Sequence, residues 1–138
     1  MRNLSDYSVL VVDDVQLNLL LVSKMLAQFS FRIRLAGGGA EALEMVAADK
    51  PDIILLDILM PEIDGYEVLT RLKADPSLKD IPVIVLSALN TNEAIVRAYN
   101  LGAADFITKP VLLEKLINSV DQQIRMISES REKDFENK

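Results

Sequence analysis

Three unbroken apolar runs of strand length, Val9-Leu10-Val11-Val12, Ile53-Ile54-Leu55-Leu56 and Val83-Ile84-Val85-Leu86, constrain the fold more than any other feature of this chain. A run without polar alternation suits a strand covered on both faces, as in a parallel sheet. Phe31-Arg32-Ile33-Arg34-Leu35 alternates with charge and Phe106-Ile107 is very short, which marks these two segments as sheet edges. Helical stripes lie between the runs, from about Val15 to Phe29, Ala40 to Ala48, Tyr66 to Ala74 and Glu93 to Leu101, and a fifth starts near Leu112. Asn90, three residues before Glu93, reads as a helix start, and Gly102 after Leu101 as a stop. Pro82 opens its strand, where a missing N–H is tolerated.

Five βα units with right-handed crossovers, and edges as assigned, make the order 2-1-3-4-5 the most economical. The expected fold is therefore α/β: a doubly wound five-stranded parallel sheet, a flavodoxin-like (βα)5 arrangement. The 138 residues fit one domain, and with half of them hydrophobic a real core is expected. Residues 1–127 are assigned to that domain and 128–138, almost entirely polar, to a tail or linker.

Histidine and cysteine are both missing from the sequence. That excludes a Ser-His-Asp triad, a thiolate nucleophile, disulfides and an ordinary zinc site. A bound metal would have to be a hard cation held by oxygen. The net charge of −6 argues against direct nucleic-acid binding, which needs a basic surface. No apolar run approaches the roughly 20 residues of a membrane span, and the N-terminus does not read as a signal peptide. A cytoplasmic location is the expectation.

In an open α/β sheet, ligands bind beyond the carboxyl ends of the strands, where the order reverses. For 2-1-3-4-5 that crevice lies between strands one and three. Strand one ends at Asp13-Asp14, strand three at Asp57, strand four at Ser87 and strand five at Lys109. Singly, each has an ordinary explanation: Asp14 as a helix cap, Asp57 as a turn former, Ser87 bonding its own loop, Lys109 as a solvated charge. Jointly these explanations fail, because three adjacent carboxylates repel unless a cation sits among them. Carboxylates completed by a backbone carbonyl and waters suit Mg²⁺. A carboxylate can also act as nucleophile and form an aspartyl-phosphate, whose oxygens need a cation and a hydroxyl donor nearby. Asp57, central in the sheet, is the natural acceptor, with Lys109 for counter-charge and Ser87 for the hydrogen bond.

Taken in order, Val11-Val12-Asp13-Asp14, Leu56-Asp57 with Met60-Pro61 and Asp64-Gly65, Ser87-Ala88, and Gly102-Ala103 through Lys109-Pro110 resemble the receiver domain of two-component response regulators, over roughly Tyr7 to Ile124. The resemblance implies that Asp57 receives a phosphoryl group from a phosphohistidine on a sensor histidine kinase or a histidine phosphotransfer protein. It implies Mg²⁺ held by Asp13, Asp14, Asp57 and the carbonyl of Leu59, and a Lys109 that binds the phosphoryl group. It further implies a Ser87 that moves toward that group while Phe106 swings in behind, and a cis Lys109–Pro110 bond. An ordinary core aromatic is the alternative for Phe106. Lacking a hydroxyl, Phe106 can switch only by packing. Leu59 and Leu89, each two residues beyond a site residue, cannot orient an attacking water, so a relatively long-lived phosphorylated state is expected.

At helical spacing, Val15, Leu19, Val22, Leu26 and Phe29 form the stripe that faces the sheet. Leu17, Leu20 and Leu21 then point to solvent near the acidic rim. They read either as a dock for the helical surface of a phosphodonor or as a self-association contact or idle patch. In the last helix, Leu113, Ile117, Val120, Ile124 and Ile127 form a short heptad-like stripe. Its first half is explained by packing on the sheet, and the overhang reads as a linker, a dimer seam or a frayed solvated tail.

Three other functions meet obstacles. A Mg²⁺-dependent aspartyl phosphatase wants an Asp-x-Asp pair, but Asp57 is followed by Ile58 and Leu59. Gly37-x-Gly39-x-x-Ala42 mimics a dinucleotide fingerprint, yet it follows an edge strand, and the switch-point loop is acidic. Gly37 and Gly38 read instead as a turn, and Gly39 as a helix start. A pure interaction module would not need Asp57, Ser87 and Lys109 intact. The Asp-Asp-Val-Gln-Leu-Asn opening of the first helix is slightly more like receivers of hybrid or cyclase-linked proteins.

Overall fold

The computed structural model of the chain describes residues 3–136. The reading of the extreme N-terminus (residues 1–2) and of the end of the polar tail (residues 137–138) lies outside the described residues. After a short 3-10 turn at Leu4–Asp6, five strands alternate with five helices. The strands are β1 (Ser8–Val12), β2 (Arg32–Ala36), β3 (Ile53–Leu56), β4 (Val83–Ser87) and β5 (Asp105–Thr108). The helices are α1 (Gln16–Ala27), α2 (Gly39–Ala48), α3 (Gly65–Ala74), α4 (Asn92–Asn100) and α5 (Leu113–Glu136). All pairings are parallel and the sheet order is β2-β1-β3-β4-β5.

Alternation along the buried strands divides the core into two layers. Leu10, Val12, Ile54, Leu56, Val83 and Val85 pack with α2, α3 and α4 residues such as Val46, Leu69 and Ala98. Val9, Val11, Ile53, Leu55, Ile84 and Leu86 face α1 and α5, meeting Leu19, Val22, Leu26, Leu116, Val120 and Ile124. Covering both faces is what the three apolar runs demand, and the two edge strands fall where charge and brevity place them.

Several local expectations shift. Val15 is not on the sheet-facing stripe of α1; it is the exposed residue at the helix start, and Phe29, past the helix end, is half-buried. The cap of α4 is Thr91, whose Oγ1 accepts from the Ala94 amide, one residue later than Asn90. Gly102 does end that helix, with a φ of 106° that strains a residue bearing a Cβ. Gly37 and Gly38 form the turn before α2, which opens at Gly39.

The largest difference is at the C-terminus. α5 continues unbroken to Glu136, where a frayed tail is one of the expectations. Arg131 Nη2 lies 2.6 Å from Asp52 Oδ1, and its guanidinium stands 5.4 Å over the Tyr7 ring. Asp52 Oδ2 in turn accepts from the Ser8 amide at 2.8 Å, so the extended helix is tied to the N-terminal edge of β1 and β3. The heptad-like stripe faces the sheet: Val120 and Ile124 are buried, and Leu116, which the stripe omits, is fully buried beside them. A helix on a sheet buries an arc wider than one row.

Candidate functional site

Register sets the site. Val12 pairs with Leu56, so the next residues, Asp13 and Asp57, leave the sheet side by side. Their amides are still held by the ladder, Asp57 N–H to the Val12 carbonyl at 3.0 Å and Asp13 N–H to the Ala36 carbonyl at 3.2 Å. Ser87 pairs with Thr108 across β4 and β5, and the Lys109 amide donates to the Ser87 carbonyl at 2.9 Å. The Lys109–Pro110 peptide is cis.

Carboxylate oxygens of Asp13, Asp14 and Asp57 all lie within 4.8 Å of one another. Asp13 and Asp57 are nearly buried, at 5% and 6% exposure, whereas Asp14 is open to solvent. The Lys109 ammonium donates to Asp13 Oδ2 at 2.8 Å and to Asp57 Oδ2 at 3.2 Å. Asp14 does not cap α1; instead Asp13 Oδ1 accepts from the Val15 amide at 2.9 Å. The Leu59 amide donates to Asp57 Oδ1 at 3.2 Å. Ser87 is fully buried, and its hydroxyl accepts from the Leu89 amide at 3.1 Å, the ordinary loop role weighed for it. Phe106 is half-buried against the α2–α3–α4 layer.

Electrostatics follow from this packing. Burial pushes the Asp57 carboxyl above its ordinary 3.8; Lys109 pulls it back, and Asp13 adds to the rise. Burial alone would depress the Lys109 ammonium, but the Asp13 hydrogen bond and the Asp57 charge outweigh it, leaving a net rise. One cation, bonded to Asp13 and Asp57, set against three acids leaves an excess of negative charge, and three carboxylates supply the oxygen donors a divalent cation prefers. The donor set therefore fits Mg²⁺.

Gly65, part of the motif but without an assigned role in the sequence, proves to shape the site. A Cβ there would collide with the Asp57 carbonyl and lie 2.6 Å from Ile58 Cα. The start of α3 thus lies directly against the acceptor's backbone, and Asp64 caps it by accepting from the Glu67 amide at 2.9 Å. Sequence reading also missed Asp105, which bonds residues on two helices; only its place beside Phe106 could have drawn attention to it.

On α1, Leu17, Leu20 and Leu21 are 61%, 48% and 48% exposed. Leu21 also borders a shallow groove completed by Asn18, Val22, Met25 and the Lys109-Pro110-Val111 loop.

A doubly wound parallel sheet has its ligand crevice at the switch point, and here that crevice is lined by an acidic cluster and a lysine. Residues 9–121 match the model of the response regulator receiver domain, and the chain belongs to that family. It is 38% identical over 129 residues to response regulator PleD of Caulobacter vibrioides, covering 91% of this chain and 28% of that protein. It is 38% identical over 109 residues to response regulator MprA of Mycobacterium ulcerans, covering 79% of this chain and 46% of that one. The chain thus spans less than half the length of these relatives. Among solved structures, the receiver domain of a signal transduction histidine kinase from Syntrophus aciditrophicus superimposes with a TM-score of 0.82 at 33% identity, covering 88% of this chain and 92% of that one. No described helix is long and apolar enough to cross a membrane.

Proposed function

We propose that the chain is a phosphoaccepting signalling switch whose acceptor is Asp57. The observation that carries this reading is the buried Asp57 carboxylate sharing the Lys109 ammonium with Asp13 at the sheet's switch point. An Asp57 oxygen attacks the phosphorus of a phosphohistidine on a sensor histidine kinase or histidine phosphotransfer protein. The O–P bond forms as the N–P bond breaks, and the imidazole nitrogen leaves with the electron pair. Asp13, Asp14, Asp57 and the Leu59 carbonyl would hold Mg²⁺, which supplies charge neutralisation for the phosphoryl oxygens when bound.

The chain's own residues do the rest. Lys109 turns from the two carboxylates to the phosphoryl group, and Ser87 gives up its loop bond to donate a hydrogen bond there. Phe106 then packs into the space behind. The reaction ends with the chain modified, so the domain catalyses its own switching and turns over no substrate. Leu59, half-exposed beside the site, and Leu89 offer no group to activate water, which favours a long-lived phosphorylated form. The exposed leucines of α1 dock a helical phosphodonor in a cytoplasmic setting. The switched surface serves a downstream partner or output domain.

Incubation with a small acyl-phosphate donor tests this. The intact chain should gain one phosphoryl group with Mg²⁺ and little when the cation is chelated. No gain under either condition would refute the proposal.

A further inference from the structure

The loop that follows Asp57 is held in a shape that its residues do not favour by themselves. Glu62 has a φ of 65°, the one non-glycine residue among those described in the left-handed region, where a Cβ crowds the following carbonyl. Such a conformation persists only when neighbouring contacts fix it. At its base the loop is closed by the Ile58 carbonyl, which accepts from the Met60 amide at 3.1 Å and from the Gly65 amide at 2.9 Å. Leu59 lies inside that clasp, with its own amide on Asp57 Oδ1.

The far side of the loop rests on α2. Ile63, the neighbour of Glu62, meets that helix at Gly39. A Cβ on Gly39 would lie 2.6 Å from the Ile63 carbonyl oxygen and 2.9 Å from both Ile63 Cγ2 and Val68 Cγ2. Gly39 is the buried first residue of α2, and its φ is outside the left-handed region. Alanine suits that backbone and is the better helix former, so space, not conformational freedom, accounts for glycine here. The adjacent Gly38 is the contrast: its backbone is extended, and a Cβ there would meet nothing within 4 Å. Contacts this close cannot take in a methyl group without a shift. Val68 is buried in α3 whereas Ile63 is only partly buried, so the loop is the part that yields.

We propose that Gly39 is a positioning residue for the cation site: its bare Cα seats Ile63, and that seat holds the 58–65 loop so that the Leu59 carbonyl joins the carboxylates of Asp13, Asp14 and Asp57. The inference rests on the reading of that carbonyl as a metal ligand. Gly39 acts only through Ile63 and the loop. Supports of this kind behind a ligand commonly set metal affinity by roughly ten- to a hundredfold.

Mn²⁺ titrated alone into the full chain, by calorimetry well below the melting temperature, tests this. Gly39→Ala should bind about tenfold more weakly than wild type, the lower end of that range, and Gly38→Ala should bind like wild type. Affinity measured on folded protein is not moved by a lower melting temperature, so a merely structural role for Gly39 would leave it unchanged. Without metal, the Met60 and Gly65 amides should exchange faster in Gly39→Ala, because the clasp opens more often. Ile63→Ala removes the seated side chain from the other direction and should also weaken binding; it carries the test if Gly39→Ala does not fold.

Wild-type affinity in Gly39→Ala or in Ile63→Ala would overturn the positioning role and leave the acidic cluster as a cation site. Equal weakening in Gly38→Ala would overturn it too, since the effect would then belong to the start of α2 in general. A wild-type chain that binds no Mn²⁺ would overturn the cation reading itself, and the role of Gly39 with it.

Discussion

Lys109 and Asp13, 96 positions apart in the chain, meet at 2.8 Å across the mouth of the sheet. The same ammonium reaches Asp57, so it occupies the charge-neutralising role that a divalent cation would share. Lys109→Met should therefore leave three carboxylates less compensated and tighten divalent binding by about tenfold. It should also slow phosphorylation, because the counter-charge for the phosphoryl oxygens is gone. Titration with Mn²⁺ or Mg²⁺ by calorimetry checks the first effect; unchanged affinity would contradict it.

The burial of Asp57 has a cost visible in pH dependence. Its folded pKa is raised above 3.8, so the folded state holds this proton more tightly than the unfolded chain does. The stabilisation is present below 3.8 and lost as pH rises through the folded value, leaving a liability at neutral pH. Asp57→Asn, with Lys109 still bonded to Asp13, should melt a few degrees higher than wild type near neutrality. The difference should close below 3.8, where wild-type Asp57 is protonated. Thermal melts across pH measure both. Lys109 follows the same sign at higher pH: its raised pKa stabilises the fold below 10.5, and that contribution is lost as pH rises through the folded value.

Much of this site was legible because short apolar runs fix where strands end, and strand ends are where polar residues must do something. Asp13, Asp57 and Lys109 fall there by counting alone, and the structure brings them together. Ser87 was placed correctly at its strand end, but periodicity carries no information about where a hydroxyl points. The α4 cap slipped by one because Asn90 and Thr91 are both good caps, and only backbone geometry chooses between them. α5 outran its apolar stripe because what holds its end is an ion pair between Arg131 and Asp52, 79 residues apart, and no local pattern encodes that pairing. The Tyr99–Asp105–Ser119 contacts are hidden for the same reason: each residue alone reads as an ordinary polar group, although Ser119 is buried.

Gly65 yields a sharper structural prediction. The nearest atoms a new Cβ would meet there are backbone atoms of Asp57 and Ile58, which cannot rotate away. Gly65→Ala should cost about 1–3 kcal/mol, as overpacking typically does. It should also slow acceptance of a phosphoryl group by displacing the Asp57 backbone. Melting and phosphorylation rates measured together check this, and a neutral substitution would contradict the packing described.

For the α1 surface, Leu17→Glu places a charge on the most exposed of the three leucines, away from the core. Phosphotransfer from a cognate histidine phosphodonor should fall at least tenfold, a few contacts' worth of binding energy. Phosphorylation by a small acyl phosphate should not change. Undiminished transfer from the protein donor would remove the docking role.

The central claim is that Asp57, and no other of the clustered acids, carries the phosphoryl group. Intact-mass measurement after incubation with a small acyl phosphate and Mg²⁺ tests it most directly. Wild type should carry one added phosphoryl group and Asp57→Ala none, although Asp13 and Asp14 remain in place. Equal modification of the two proteins would contradict the account.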